Sequence, residues 1–324
     1  MSERSPNKEP SKGKKHSLPD VAVLRGGNKD FKRSLIEGGE VLSSLTKLGY
    51  APLDVLISKE GDWTLGGRPT DPHYIYTRSH TIIDTTRMKG EVYQELAKKM
   101  SIPLILSEGE NVTMNREDMY RILRQQGFKV PDTLVIRATQ PFNGKVLRDI
   151  WYTFHTPLMV RPLIRSDKAV SKLVTSFKDL EDTVTDYHAQ GIDVQVLTYQ
   201  RAPTSSVAVI PNFRGEKVYT PLWVETFSGV KEIPHGESKI RAYSHAPAFR
   251  KDQMKELVTE AYNALGLTVP VVIDVIPQKY DYMVVNIETS PSLRGDGRFM
   301  KSLETTGVDI GQYLHAYITD ELTR

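Results

Sequence analysis

The segment that follows residue 20 constrains the fold most, because it has the pattern of a strand, a helix and a second strand in immediate succession. Residues 21–24 (VAVL) are a short apolar run that ends in Arg25-Gly26-Gly27, which predicts a buried strand and a tight turn. Apolar side chains at helical spacing then fill residues 35–48, and residues 53–57 predict the next strand. In a βαβ unit of this kind the two strands are parallel. The chain is therefore predicted to open with a parallel sheet.

The rest of the chain continues to mix strands with helices. Further strands are predicted at residues 79–85, 102–106, 133–136, 157–162, 193–198, 205–210, 218–224, 271–276 and 282–288. Further helices are predicted at residues 89–100, 115–126, 177–188 and 251–264, and a long polar loop at residues 226–247. The last two strands are separated by a five-residue connection, which predicts a β-hairpin.

The composition excludes several classes of protein. None of the 324 residues is cysteine, which excludes a disulfide scaffold, a thiolate zinc site, an iron–sulfur cluster and a cysteine nucleophile. No apolar run approaches the roughly 18 residues of a membrane span. The N-terminus also lacks the apolar core of a signal peptide. We therefore expect a cytoplasmic protein without a membrane span.

Residues 1–20 are predicted to be a disordered basic tail, because they are rich in Lys, Ser and Pro and have little to bury. Residues 1–19 carry five Lys or Arg and two Glu, so they account for the whole net charge of +3. One interpretation is that Lys12, Lys14 and Lys15 contact nucleic acid or an anionic surface; the favoured one is a solvated tail. Because the remaining chain is formally neutral, its charge argues against a nucleic-acid partner.

The predicted hairpin carries the side chains most suggestive of chemistry. Asp274 lies within an almost wholly apolar strand, where an ionised carboxylate is costly unless it is paired or bound to metal. Asn286 and Glu288 are two residues apart on the next strand, so both point to the same face. Such an oxygen cluster suits Mg²⁺. The alternative is that Asp274 caps a turn or pairs with a lysine, while the other two lie on a solvated face.

Several segments, in order, match one known family. They are residues 21–27 followed by Asp30, the run from Met114-Asn115-Arg116 to Val130-Pro131, residues 157–162 (PLMVRP), Asn286-x-Glu288-Thr289-Ser290-Pro291, and Gly307-Val308-Asp309 before the final helix. Together they resemble the ATP-grasp enzymes and, within these, the D-alanine–D-alanine ligases. The family has Glu-x-Asn where this chain has Asn-x-Glu.

The resemblance implies an α+β ATP-grasp fold. It would comprise an N-terminal α/β domain with a parallel sheet at residues 21–107, a central subdomain at 108–188 and a C-terminal subdomain at 189–324. The implied activity is an ATP- and Mg²⁺- (or Mn²⁺-) dependent carboxylate–amine ligase acting through an acyl phosphate. Its substrates would be small amino acids, D-alanine by resemblance, in peptidoglycan precursor synthesis. A homodimer is implied as well.

The resemblance also implies a role for individual residues. Asp274, Asn286 and Glu288 would hold the metal ion. Arg116 and Arg161 would contact the phosphates where the family has lysines, and Lys168 would bind the nucleotide from the phosphate-covering loop. Lys239 would reach the terminal phosphate. Asp30 would lie near the amine of the first amino acid, where the family usually has Glu.

Three departures from the family raise an alternative function. The phosphate-covering loop, Arg165–Ala169, contains no glycine, although backbone N–H groups approach phosphate most easily where glycines are present. Val272 stands where the family carries an arginine that stabilises the developing oxyanion. The sequence Leu293–Arg298 replaces a serine-bearing turn. The alternative is therefore a catalytically impaired homologue that acts as a nucleotide-binding or partner-binding module.

Overall fold

The computed structural model describes residues 18–28, 30–86, 92–105, 115–140, 143–163, 170–199, 202–227, 239–242, 248–279 and 281–323. The predicted basic tail as far as residue 17 and the loop Arg165–Ala169 lie outside these residues. None of the described helices is long and apolar enough to cross a membrane.

The N-terminal sheet confirms the predicted βαβ opening. Its strands are β1 (Val21–Gly26), β2 (Leu53–Ile57), β3 (Trp63–Leu65), β4 (Arg68–Pro69), β5 (Thr81–Asp84) and β6 (Leu104–Ile105), in the order β4-β3-β2-β1-β5-β6. Strand β1 pairs in parallel with β2 and β5, and β5 pairs in parallel with β6. The helices are α1 (Phe31–Lys47), α2 (Pro72–Thr77) and α3 (Val92–Lys99).

The turn from β1 into α1 requires glycine. Gly26 has φ +93°, and a Cβ atom there would lie 2.2 Å from the carbonyl oxygen of Ile57. Any other residue would therefore clash with β2. Helix α1 ends at Lys47, and Gly49 with φ +89° follows it, as is common after the end of a helix.

The central sheet is antiparallel. Its strands are β7 (Thr133–Ile136), β8 (Leu158–Pro162), β9 (Lys172–Val174) and β10 (Val194–Thr198), in the order β7-β10-β8-β9. Its region also contains helices α4 (Arg116–Gln125), α5 (Gly144–Thr153) and α6 (Phe177–Ala189). Strand β10 belongs to this sheet, although it follows the boundary expected near residue 188.

The C-terminal sheet contains the predicted hairpin. Its strands are β11 (Thr204–Phe213), β12 (Glu216–Tyr219), β13 (Val224–Phe227), β14 (Lys239–Ala242), β15 (Val271–Pro277) and β16 (Tyr282–Glu288), in the order β14-β13-β11-β15-β16 with β12 beside β11. Strands β15 and β16 are antiparallel neighbours. Helices α7 (Ala248–Ala264), α8 (Arg298–Glu304) and α9 (Ile310–Thr323) complete the described chain.

Two sequence predictions in this region are wrong. The single strand predicted at residues 218–224 is two strands, β12 and β13, and Pro221 lies in the gap, where it has no N–H to give to a ladder. The loop predicted at 226–247 contains β14, which pairs with β13. Its charged and polar sequence gave no periodic strand signal. Residues 228–238 and 243–247 lie outside the described part.

One apolar core joins the first and last sheets. It includes Val23 of β1, Leu45 of α1, Val272 of β15, Phe299 of α8 and Tyr313 of α9, all buried. Side chains alternate across a strand. The face of β15 that carries Val272 and Asp274 therefore lies towards α1 and α8. This packing places the polar residues of the hairpin beside the N-terminus of α8.

Candidate functional site

The three predicted metal ligands lie together on β15 and β16. Asp274 is paired in register with Asn286, and Val272 with Glu288. The Asn286 Nδ2 atom donates a hydrogen bond to Asp274 Oδ2 at 3.0 Å. Asp274 is buried, with 4% of its surface exposed. The hairpin thus brings the oxygen cluster to one place, and the ligand role of these residues stays a prediction.

An arginine that the sequence analysis did not identify enters this cluster. Arg298, the first residue of α8, donates from Nη1 to both Oδ1 and Oδ2 of Asp274, each at 2.6 Å. Its Nη2 donates to Glu288 Oε2 at 2.8 Å. In the sequence, Arg298 ends the polar segment Arg-Gly-Asp-Gly-Arg. That segment predicts a turn and gives no sign that Arg298 contacts β15.

Guanidinium groups pair with both carboxylates of the cluster. Asp274, and after it Glu288, hold the pKa of the Arg298 guanidinium above its ordinary value against the opposing effect of burial. Arg33 Nη2 lies 3.9 Å from Glu288 Oε1, and Arg33 also contacts Asp30 and Glu37. Buried carboxylates are costly unless they are paired and hydrogen-bonded. The pairing of Asp274 with Arg298 satisfies that requirement.

This arrangement does not fit a divalent metal ion. Mg²⁺ is usually held by one or two carboxylates at about 2.1 Å, with phosphates and water completing the shell. Arg298 Nη1 is equidistant from both carboxylate oxygens of Asp274, which is where a cation bound by both would lie. Asn286 Oδ1 is buried and accepts no hydrogen bond in the described structure. No group of three or more His, Asp or Glu among the described residues is placed to hold a metal.

Helix α1 forms the neighbouring wall of this site. Asp30 immediately precedes α1 in a left-handed conformation, φ 49°, and its side chain does not cap the helix. Its Oδ2 lies 3.7 Å from Arg33 Nη1. Glu37, one helical turn further, is buried and accepts the backbone N–H of Leu293 at 2.7 Å. Arg33 lies near both Asp30 and Glu288, so Asp30 is at the same edge of the site as the carboxylates. Its contact with an amine stays a prediction.

Arg161 is buried, and its hydrogen-bond partners among the described residues include no carboxylate. Its Nε donates to Gln195 Oε1 at 2.9 Å, and its Nη2 donates to the Tyr120 hydroxyl at 2.8 Å. The Tyr120 hydroxyl in turn donates to the carbonyl of Val285 on β16. Arg161 is 8% exposed and forms no ion pair within the described residues. Gln195 and Tyr120, its partners among the described residues, are uncharged.

Gln195 adds an unsatisfied donor beside Arg161. The two residues are paired in register on β8 and β10. Gln195 is fully buried, and its Nε2 donates no hydrogen bond in the described structure. A buried donor without an acceptor costs about 1–3 kcal/mol. The cation and the free donor therefore lie together between the central sheet and β16.

Of the other residues predicted to contact the nucleotide, Arg116 and Lys239 are described and Lys168 is not. Arg116, at the start of α4, donates from Nη1 to the carbonyl of Pro162 at 3.1 Å, which brings it to the end of β8, the strand of Arg161. Lys239 is the first residue of β14. Lys168 lies outside the described residues.

Proteins of known structure and sequence that are similar to this chain include D-alanine–D-alanine ligases. The sequence is 20% identical to the D-alanine–D-alanine ligase of Bacillus anthracis over 321 residues, covering 93% of this chain and 97% of that protein. The structure of the Bacillus anthracis ligase complexed with ATP superimposes with a TM-score of 0.72 at 17% identity, over 94% of this chain and 98% of that one. The D-alanyl-alanine synthetase A of Vibrio cholerae gives a TM-score of 0.77 at 12% identity, over 94% and 99%.

No family model matches the chain, so the relationship depends on these whole-length similarities. They agree with the order of sheets and with the hairpin described above. The chain therefore has the ATP-grasp fold of the D-alanine–D-alanine ligases and resembles them in sequence along nearly its whole length.

Proposed function

We propose that this protein is an ATP-dependent carboxylate–amine ligase that joins two small amino acids, with D-alanine as the first substrate to test. The fold shared with the ligases along nearly the whole chain supports this proposal. A role in peptidoglycan precursor synthesis and a homodimer belong to the same proposal and follow from the resemblance alone. The cytoplasmic location expected from the sequence belongs to it as well.

The observation that carries the proposal is the burial of Arg161 without a carboxylate partner among the described residues. A buried charge is strongly unfavourable unless an opposite charge or a dense set of hydrogen bonds compensates it. Guanidinium groups pair especially well with phosphate oxygens. Gln195 Nε2, unsatisfied beside it, is a second donor. A nucleotide phosphate between the central sheet and β16 would supply the missing anion.

The proposed reaction needs two steps. A carboxylate oxygen of the first amino acid attacks the γ-phosphorus of ATP, and ADP leaves. The amine of the second amino acid then attacks the acyl carbon and loses a proton, while phosphate leaves. In this proposal Arg161 and Arg116, with Lys168 and Lys239, bind the phosphates, and Asp30 holds the ammonium group of the first amino acid.

The Mg²⁺ or Mn²⁺ predicted from the sequence, with Asp274, Asn286 and Glu288 as ligands, is not part of this proposal. Its binding would require Arg298 to leave the carboxylates it now contacts. We therefore derive no step of the reaction through a metal ion.

Two measurements test the proposed function. The first follows phosphate release and dipeptide formation by the full chain with ATP, Mg²⁺ and D-alanine. The second is calorimetric titration with a non-hydrolysable ATP analogue, where we expect Arg161→Ala to weaken binding by roughly 2–4 kcal/mol. Arg121→Ala is the matched control, because Arg121 is more than half exposed and pairs with Asp118 on the surface.

The outcomes separate the hypotheses. Unchanged nucleotide affinity in Arg161→Ala, together with lower stability, would make Arg161 a structural residue and remove the support for the proposal. Nucleotide binding without any phosphate release, with a range of small amino acids, would favour the nucleotide-binding module instead of the ligase.

A further inference from the structure

We propose that Arg298 is the permanent cation of the acidic cluster formed by Asp274 and Glu288. The cluster then takes up no divalent metal ion, and the protein binds its nucleotide without one. The inference rests on the proposed function only in naming a nucleotide as the ligand. Its structural basis is the geometry around Asp274, Glu288 and Arg298.

The first argument is that Arg298 and a metal ion exclude each other. Nη1 lies 2.6 Å from each carboxylate oxygen of Asp274. A Mg²⁺ ion bound by the same two oxygens at about 2.1 Å would lie within about 1 Å of that nitrogen atom. The Arg298 nitrogen atom and the metal ion therefore cannot occupy this position together. Arg298 is part of the chain and is always present.

The second argument is that Asp274 has no acceptor capacity left for a metal. Ser206 Oγ donates to Oδ1 at 2.7 Å, and Asn286 Nδ2 donates to Oδ2 at 3.0 Å. Arg298 Nη1 donates to both oxygens. A carboxylate oxygen offers about two acceptor positions, so both atoms are fully used. Asn286 also directs its donor, not its oxygen, towards Asp274.

The third argument is that the rest of the fold fixes Arg298 in position. The residues after it, Phe299 and Met300, are buried in the core shared with the N-terminal sheet. The segment before it is held by α1, where Glu37 accepts the N–H of Leu293 and Glu40 accepts the N–H of Gly295 at 2.9 Å. Arg298 is therefore placed by backbone anchors on both sides, unlike a mobile arginine in a surface ion pair.

The consequence concerns the approach of a nucleotide. Without Arg298, two carboxylates would face the polyphosphate with Arg33 as the nearest counter-charge, and a metal ion would be needed to offset the repulsion. With Arg298 present, its guanidinium group offsets part of the negative charge of Asp274 and Glu288 from within the chain. A phosphate chain bound at Arg161 then meets less negative charge without a metal ion.

The test measures Mn²⁺ binding to the full chain by electron paramagnetic resonance in the absence of nucleotide. Wild type and Glu288→Gln are expected to bind equally little Mn²⁺. Arg298→Ala is expected to gain one bound Mn²⁺ per chain, and the double variant Arg298→Ala/Glu288→Gln is expected to lose it again. Mn²⁺ binding by wild type that Glu288→Gln abolishes would overturn the inference, as would a folded Arg298→Ala that takes up no Mn²⁺.

If Arg298→Ala fails to fold, the comparison of wild type with Glu288→Gln still decides the matter. A second titration, of wild type with a non-hydrolysable ATP analogue in EDTA and in Mg²⁺, tests the consequence for the ligand. We expect affinities that agree within about threefold, which is less than 1 kcal/mol. Binding only in Mg²⁺ contradicts the inference and leaves the ligase proposal intact. No binding in either condition removes the nucleotide proposal, while the Mn²⁺ comparison still stands.

Discussion

Glu37 of α1 accepts the backbone N–H of Leu293 at 2.7 Å, across 256 positions of sequence. The carboxylate is buried and also accepts from the Ser292 hydroxyl at 3.3 Å. Because Leu293 leads into α8, this contact ties the N-terminal domain to the segment that positions Arg298. A buried carboxylate that satisfies a backbone donor from another domain contributes both to stability and to the shape of the site.

Replacing Glu37 by Ala should therefore destabilise the protein by about 2–3 kcal/mol, since the Leu293 N–H is left buried without a partner. Glu40→Ala is the control, because Glu40 lies one turn away on α1 and accepts the N–H of Gly295 at an exposed position. Urea unfolding of both variants is the measurement. An equal, small loss in both would show that the buried contact adds nothing beyond its exposed neighbour.

Tyr120 offers a second test, at the boundary between the central sheet and β16. Its hydroxyl accepts from Arg161 Nη2 and donates to the Val285 carbonyl. Tyr120→Phe leaves both partners unsatisfied and is expected to cost about 1–3 kcal/mol in free energy of unfolding. Tyr152→Phe, at a side chain that is 84% exposed, should change stability by less than about 0.5 kcal/mol. Similar values for the two variants would contradict the buried role of Tyr120.

The regular elements were predictable because they depend on local patterns. The strands at 53–57 and 133–136 were placed to the residue, and the antiparallel pairing of β15 with β16 followed from a short connection between two apolar runs. The first parallel pair, β1 with β2, followed from the helix between them. In each case neighbouring residues carry the signal.

The candidate site could be predicted only in part, because its contacts join distant segments. Asp274, Asn286 and Glu288 were found together since one hairpin carries all of them. Arg298 was not, because nothing in a glycine-rich segment indicates which side chain will reach back to β15. The pairing of Arg161 with Gln195 depends on β8 lying next to β10, a register that no local pattern specifies.

Stability should fall at alkaline pH. Burial raises the pKa of the Tyr50, Tyr187 and Tyr262 phenols above the ordinary value of about 10. Between the unfolded and folded pKa values the unfolded chain has lost a proton that the folded chain still holds. The folded state therefore binds more protons, and its stability decreases as the pH rises past about 10.

Tyr262 is the residue at which to check this, because its hydroxyl donates to the Val269 carbonyl at 3.1 Å inside the C-terminal core. Urea midpoints measured upward from neutral pH should decline more steeply for wild type than for Tyr262→Phe. Tyr152→Phe serves as the exposed control. Parallel declines for wild type and Tyr262→Phe would mean that this phenol does not cause the loss.

The ion pair at the centre of the site allows a double-mutant cycle. Arg298→Ala leaves Asp274 buried without its counter-charge, which should cost about 3–5 kcal/mol of unfolding free energy. Asp274→Asn removes the charge that Arg298 neutralises, so the double variant should be clearly more stable than the sum of the two single losses predicts. Arg294→Ala is the control, because its pair with Asp296 is exposed and should contribute less than about 1 kcal/mol. Additive losses in the cycle would mean that Arg298 and Asp274 contribute to stability independently. The inference that Arg298 is the counter-charge of Asp274 would then be wrong.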